Sequence, residues 1–335
     1  MIGATNGAPV SITGLGCHVP ERVVTNDELA RLVDTSDEWI RTRTGIRERR
    51  FAADDEALSD IALPAARAAL KQAGVSARDI DLLIVATVTP DMAFPSTSAI
   101  LADQLGASEA GAYDLAAGCT GFMYGIAQAF GMVSAGLSHH ALVIGADVLS
   151  KLMNFADRTT CVLFGDGAGA AVLERVDEGG FLGFELGADG SGGPDLQLPA
   201  GGSRMPTTAD TVARGEHYVQ MNGRQVYKFA TRVLVSSAEN VLAECGLSVS
   251  DIDVYVPHQA NIRIIDHAVA KLGIPEDRVV VNVDRYGNTS SGSIPLALGE
   301  ALEQGRVHKG DTVLMTGMGA GLTWGSAVMR WTEAA

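Results

Sequence analysis

The feature that most constrains this chain is that it echoes itself. Gly74-Val75-Ser76-Ala77-Arg78-Asp79-Ile80-Asp81 leads into an apolar run, and Gly246-Leu247-Ser248-Val249-Ser250-Asp251-Ile252-Asp253 does the same 172 residues later. The next apolar run keeps the interval, with Ile144-Gly145 matching Thr316-Gly317. Each copy then closes on a glycine-rich turn entering a further run, GDGAGAAVL from Gly165 and GLTWGSAVM from Gly321. Junctions between helices and strands share residue preferences, so one matching octapeptide would mean little. Several features at a nearly constant interval indicate a duplicated unit. The chain therefore reads as two copies of one α/β unit, residues 1–178 and 179–335, with an active site expected where they meet.

Short β-branched runs alternate with helical patterns, the signature of a layered α/β fold. Strands are predicted over Asp81–Thr87, Ala141–Gly145, Ala168–Leu173, Val254–Pro257 and Thr312–Met315, and helices over Ile61–Gln72, Phe122–Ser134, Val226–Glu244 and Ile262–Leu272. A chain of 335 residues, 47% hydrophobic and 19% charged, can bury an ample core.

Charge narrows the function. A net charge of −15 argues against non-specific nucleic-acid binding and against an anionic membrane surface. Arg41, Arg43, Arg47, Arg49 and Arg50 form a local basic cluster, so a phosphate-bearing ligand stays possible. No secretory signal or membrane span is read from the sequence. Cys17, Cys119, Cys161 and Cys245 lie far apart without CxxC spacing, which disfavours a disulfide framework or a zinc site. The expected setting is cytoplasmic.

Three segments hold candidate chemistry. Cys119 lies in Ala116-Ala117-Gly118-Cys119-Thr120-Gly121, small residues placed before a helical pattern. A thiol at a helix N-terminus meets positive partial charge and unpaired N–H groups, both of which favour the thiolate. A buried structural cysteine is the competing reading of this segment. His258 follows the Val254–Pro257 strand, and carboxyl ends of strands are where open α/β sheets carry chemistry. Taken alone it also fits a structural histidine. Asn288, in Gly287-Asn288-Thr289-Ser290, equally fits a helix N-cap. The glycines of Gly165-Asp166-Gly167-Ala168-Gly169 precede a strand rather than a helix, so they read as a turn and not as a phosphate cradle.

Longer motifs add to these. Asp34-Thr35-Ser36-Asp37-Glu38-Trp39-Ile40, Thr42-Arg43-Thr44-Gly45-Ile46, Phe164-Gly165-Asp166-Gly167-Ala168-Gly169, Pro257-His258-Gln259-Ala260-Asn261, Gly287-Asn288-Thr289-Ser290 and Leu322-Thr323-Trp324-Gly325 follow one another in order. Together they resemble the β-ketoacyl-acyl-carrier-protein (ACP) synthase III family of the thiolase superfamily, over nearly the whole chain. The resemblance implies a thiolase-like fold, two duplicated halves forming a five-layered αβαβα core, and a homodimer. It implies a condensing enzyme that joins a short acyl-CoA primer to malonyl-ACP through a cysteine, with no metal or redox cofactor; the coenzyme A thioester is a substrate.

The same resemblance assigns roles. Cys119, His258 and Asn288 fall on the catalytic triad, and the backbone of Cys119 and Ala320 on the oxyanion hole. Trp39 and Arg158 match residues that sandwich the CoA adenine, Arg43 one near its phosphates, and Gly223 and Asn261 positions along the pantetheine tunnel. Lys228, Arg263 and Lys271 fall where the family meets its carrier protein. Phe94 matches a residue bordering the acyl pocket across the dimer interface, where a bulky ring favours a short primer. Met318, Ala320 and Thr120 depart from the commoner Phe, Gly, and Ala or Ser. A specialised ketosynthase or acyltransferase of polyketide-type metabolism shares the triad and is the alternative. Residues 1–8 show no pattern.

Overall fold

The computed structural model describes residues 8–332, so nearly all of the patternless N-terminal stretch and the last three residues lie outside it. Two sheets form the frame. The first contains β1 (Val10–His18), β2 (Leu82–Ala86), β3 (Gly111–Leu115), β4 (Ala141–Asp147) and β5 (Gly167–Arg175) in the order β1-β5-β4-β2-β3. The second contains β6 (Gly180–Ala188), β7 (Val254–Pro257), β8 (Thr312–Gly319) and β9 (Thr323–Arg330) in the order β7-β8-β9-β6.

The two orders are the same order. β2 runs parallel to β4, and β5 pairs antiparallel with β4 and β1. In the second sheet β7 runs parallel to β8, and β9 pairs antiparallel with β8 and β6. Where β3 would recur, an isolated bridge joins Tyr255 to Val279.

Helices fill three layers around the sheets. α1 (Asp37–Thr44) packs on α5 (Ile262–Leu272), and α2 (Leu58–Ala73) covers the outer face of the first sheet. α3 (Gly121–Ser134) and α6 (Ser293–Glu303) touch both sheets and form the central layer. α4 (Gly223–Glu244) packs on the outer face of the second sheet and against α5. The result is the five-layered αβαβα arrangement.

Residue patterns explain these placements. β2 reads Leu-Leu-Ile-Val-Ala with every residue buried, as a strand covered on both faces must be. α6 is buried from Ser293 to Gly299, which suits a helix enclosed between two sheets. α2 instead buries one stripe, including Leu58, Ile61, Ala65, Ala69 and Leu70. That helix lies close on β1 because Gly14 and Gly16 have no side chain; a Cβ there would stand 2.2 Å from the Ala69 carbonyl oxygen and 2.1 Å from that of Ala65.

The helix predicted over Ile262–Leu272 and the strand predicted over Val254–Pro257 have those bounds. The strand predicted over Asp81–Thr87 is one residue shorter at each end, and the other predicted elements lengthen by one to four residues. β1, β3 and β6 carry weak strand patterns. β1 and β6 are interrupted by glycine, and β3 is a short edge strand with exposed and half-buried residues.

Candidate active site

Two copies of one turn meet at the centre of the molecule. Gly118–Thr120 forms a 3₁₀ turn that runs into α3, and Ser290–Gly292 forms another that runs into α6. Ser290 stands 172 positions after Gly118, the interval of the sequence repeat. The backbones agree, with φ 57° at Gly118 and 53° at Ser290. Ser290 is the one non-glycine residue with positive φ among the described residues. The first turn carries Cys119 and the second follows Asn288.

Cys119 is 8% exposed and borders two cavities. One, about 150 Å³, is shared with His258, Asn288, Asn261, Gly223 and Met318. The other, about 180 Å³ and almost wholly apolar, is lined by Val88, Leu149, Leu152, Leu198, Val219 and Ser290 among others. The sulfur thus sits between two largely apolar cavities, one of which also holds the polar ends of His258, Asn288 and Asn261.

The helix N-terminus favours the Cys119 thiolate, but burial outweighs it. Burial pushes the thiol up to about 12, and the Asp147 carboxylate raises it further. Ser290 and the backbone amides of Cys119 and Ala320 pull it back down. The Ser290 hydroxyl approaches the sulfur without good hydrogen-bond geometry and has no other partner. In the free protein Cys119 is a thiol surrounded by groups that would welcome negative charge.

Those two amides are held together by a side-chain tie. The Thr120 and Thr323 hydroxyls stand 2.7 Å apart. Thr120 reaches the Ala117 carbonyl at 2.5 Å, and Thr323 reaches the carbonyls of Ala117 at 2.9 Å and Ala320 at 3.0 Å. Gly319 completes the fit, since a Cβ there would stand 2.4 Å from the Cys119 nitrogen. Thr120, noted as a departure from the commoner residue, therefore ties the Cys119 turn to the β8–β9 turn that carries Ala320. Ala320 in place of glycine leaves its amide directed at the sulfur.

His258 follows β7, anchored by its own N–H to the Thr316 carbonyl at 2.8 Å. Its ring is 1% exposed, and burial pulls its pKa down to about 3, so it is neutral. Nδ1 lies 2.5 Å from the Ser293 hydroxyl, while Nε2 is buried and unpartnered. Asn288 is fixed by its backbone to Leu163 and Gly165. Its Oδ1 accepts the Ser290 N–H at 2.8 Å, which leaves the side-chain amide N–H₂ as the free end. Asn288 does not cap α6, whose N-cap is Gly292. The site therefore offers a buried thiol, two amides aimed at it, a neutral imidazole and a carboxamide donor.

Relatives and solved structures show what such a site belongs to. Residues 113–190 match the family description 3-oxoacyl-[ACP] synthase III, and residues 242–331 match its C-terminal counterpart. A β-ketoacyl-[ACP] synthase III from Symbiobacterium thermophilum is 59% identical over 324 residues, covering 96% of this chain and 98% of that one. The chain belongs to the β-ketoacyl-ACP synthase III family.

Crystal structures agree. The synthase III of Thermus thermophilus superposes with a TM-score of 0.90 at 48% identity, covering 97% of this chain and 100% of that one. The priming β-ketosynthase of the R1128 polyketide pathway also reaches 0.90, at 37% identity with 98% of each chain covered.

Other residues assigned by resemblance to the synthase III family take varied positions. Trp39 is bracketed by arginines, with Arg43 4.6 Å and Arg158 5.1 Å from its ring centre. Arg158 already lies on the indole, so a planar ring can enter between them only if the guanidinium swings away. Arg49, one of the local basic cluster, is not available to a phosphate-bearing ligand. It is 0% exposed and donates to the carbonyls of Val24 and Val162 and to Asn26 Oδ1.

Asn261 borders the cavity shared by Cys119 and His258 while capping α5 through the Arg263 N–H and holding the Arg43 carbonyl. A Cβ on Gly223 would meet only the Met221 methyl at 3.7 Å. Lys228, Arg263 and Lys271 are exposed on α4 and α5. Phe94 is 84% exposed and lines neither cavity. Among the described residues no group of three or more His, Cys, Asp or Glu converges as a metal site.

The sequence motifs assign no role to Ser293, Ser290, Thr323 or Asp147, although Ser290 and Thr323 lie within them. Asp147, fully buried, binds the Ser291 amide and hydroxyl together with Thr87, Val88 and Thr89, so it fixes the second turn to β2 and β4. The Ser-rich run after Asn288 was the available signal, and it resembles an ordinary helix start.

Proposed function

We propose that this synthase starts fatty-acid synthesis by joining a short acyl-CoA primer to malonyl-ACP through Cys119. The observation that carries the reading is that Cys119 borders both an apolar pocket and a second cavity into which His258 and Asn288 bring the polar groups. In the first step Sγ attacks the acyl-CoA thioester, the new S–C bond replaces that to CoA, and the thiol proton ends on the departing CoA. The Cys119 and Ala320 amides stabilise the tetrahedral oxyanion.

Malonyl-ACP then loses carbon dioxide, leaving an enolate. His258 and Asn288 suit its oxygen because both are uncharged donors, whereas a carboxylate would repel it. The enolate carbon attacks the acyl carbonyl, the C–C bond forms as the S–C bond breaks, and a proton restores the thiol. No metal or redox group enters this scheme. The apolar pocket of about 180 Å³ favours a short primer.

Trp39, Arg43 and Arg158 serve the CoA end, Gly223 and Asn261 border the pantetheine path, and Lys228, Arg263 and Lys271 face the acidic carrier protein. A homodimer is supported by the open edge of β3, with Tyr113 37% exposed, and by the exposed Phe94. In that assembly Phe94 would reach the partner's acyl pocket. Four free cysteines fit a reducing, cytoplasmic compartment.

Intact mass tests the reading. Wild type should gain one acyl group from acyl-CoA and lose it to malonyl-ACP as β-ketoacyl-ACP, while Cys119→Ala gains none. An acyl group that passes only to a non-malonyl acceptor would favour the specialised ketosynthase or acyltransferase instead.

A further inference from the structure

We propose that Ser293 is a positioning residue that locks His258 as the tautomer with its proton on Nε2, making the histidine a permanent hydrogen-bond donor to the active site. The inference rests on the condensing function proposed above and adds to it a residue and a protonation state.

Ser293 is 1% exposed, at the first turn of α6. Its Oγ has two neighbours within hydrogen-bonding distance, His258 Nδ1 at 2.5 Å and the backbone N–H of Gln259 at 3.4 Å. The amide can only donate, so it occupies a lone pair of Oγ. If Nδ1 also donated, the hydroxyl proton would be buried with no acceptor, an arrangement that costs a full desolvation penalty. If the hydroxyl donates to Nδ1, all three groups are satisfied. Nδ1 is then the acceptor, and in a neutral ring the proton must sit on Nε2.

The surroundings hold this arrangement in place. Gln259 is pinned at both ends of its side chain, Nε2 to the Pro257 and Val280 carbonyls and Oε1 to the Asn282 and Val283 amides. Burial keeps the ring neutral, so it does not gain a second proton to escape the choice. Nε2, buried and unpartnered, borders the cavity that also holds Cys119 and Asn288. An N–H there stabilises a developing enolate oxygen; a bare nitrogen would repel it. A protonated Nε2 also cannot take the Cys119 proton, so acyl loading proceeds without His258 as base.

The test is nitrogen NMR of the full-length protein labelled at the histidine ring nitrogens, with the His258 signals assigned by difference from His258→Gln. At neutral pH wild type should show Nε2 as a protonated, pyrrole-type nitrogen and Nδ1 as an unprotonated, pyridine-type nitrogen. Ser293→Ala should mix the tautomers and slow malonyl-ACP decarboxylation about 10- to 100-fold, with Cys119 acylation by acyl-CoA changing far less. A proton on Nδ1 in wild type overturns the proposal without recourse to any variant. So does a Ser293→Ala protein that keeps both the Nε2–H signal and the decarboxylation rate. A wild type with the expected signals but no decarboxylation would leave the tautomer standing and overturn the functional reading.

Discussion

Gly118 and Ser290 hold the same left-handed backbone, φ 57° and 53°, at equivalent points of the two halves. The glycine adopts it freely, whereas serine is strained there by about 1 kcal/mol or more. Ser290→Gly should therefore change unfolding free energy by less than about 1 kcal/mol, relief of strain offsetting the added freedom of the unfolded chain. It should also raise the pH at which Cys119 is alkylated, because a hydroxyl beside the sulfur is lost. Urea denaturation and the pH profile of iodoacetamide labelling check the two parts.

Gly118→Ala is the opposite case. Its Cβ would stand 2.7 Å from the Ala320 nitrogen, on a backbone that disfavours any side chain. A loss of about 1–3 kcal/mol in stability is expected. Displacing one oxyanion donor should slow single-turnover acylation by about 10²-fold. An alanine variant acylated at the wild-type rate would remove Ala320 from the oxyanion hole.

Acid should weaken the fold through His258. Its folded pKa is lowered to about 3 from 6.5, so below pH 6.5 the unfolded chain takes up a proton that the folded one refuses. Stability is thus complete above that value and falls as pH drops towards 3, by about 1.4 kcal/mol per pH unit from this group. His258→Gln should flatten that part of the curve, measured by denaturant midpoints at stepped pH.

Trp39→Ala should raise KM for acyl-CoA about tenfold, the cost of losing one stacking platform for a base, with kcat for condensation nearly unchanged. Steady-state kinetics with saturating malonyl-ACP separates the two constants. Equal effects on both would move Trp39 from nucleotide binding to a structural role.

Phe94→Asp should weaken self-association, since an exposed apolar ring at the proposed interface would give way to a charge that must be desolvated there. Sedimentation velocity across a concentration series reads this directly. A variant with the wild-type profile would take Phe94 out of the dimer interface.

Much of this molecule was legible in the chain. Short continuous apolar, β-branched runs marked the buried strands, such as β2 and β7, and the Ile262–Leu272 pattern marked α5 to the residue. The repeat interval implied two equivalent halves, and the motifs around Cys119, His258 and Asn288 selected the residues that share one cavity. These features are local, or are repeats of local features, and local pattern follows directly from backbone geometry and burial of one face. What the tertiary structure alone decided lies between distant segments. The hydroxyls of Thr120 and Thr323, the Ser293–His258 contact, the burial of Arg49 and the raised thiol of Cys119 all depend on neighbours brought together by folding. Hydroxyl and guanidinium groups are equally at home in water, so their residue type alone gives no sign that they will be enclosed. Removal of water then sets which partners they must find and which protons they keep.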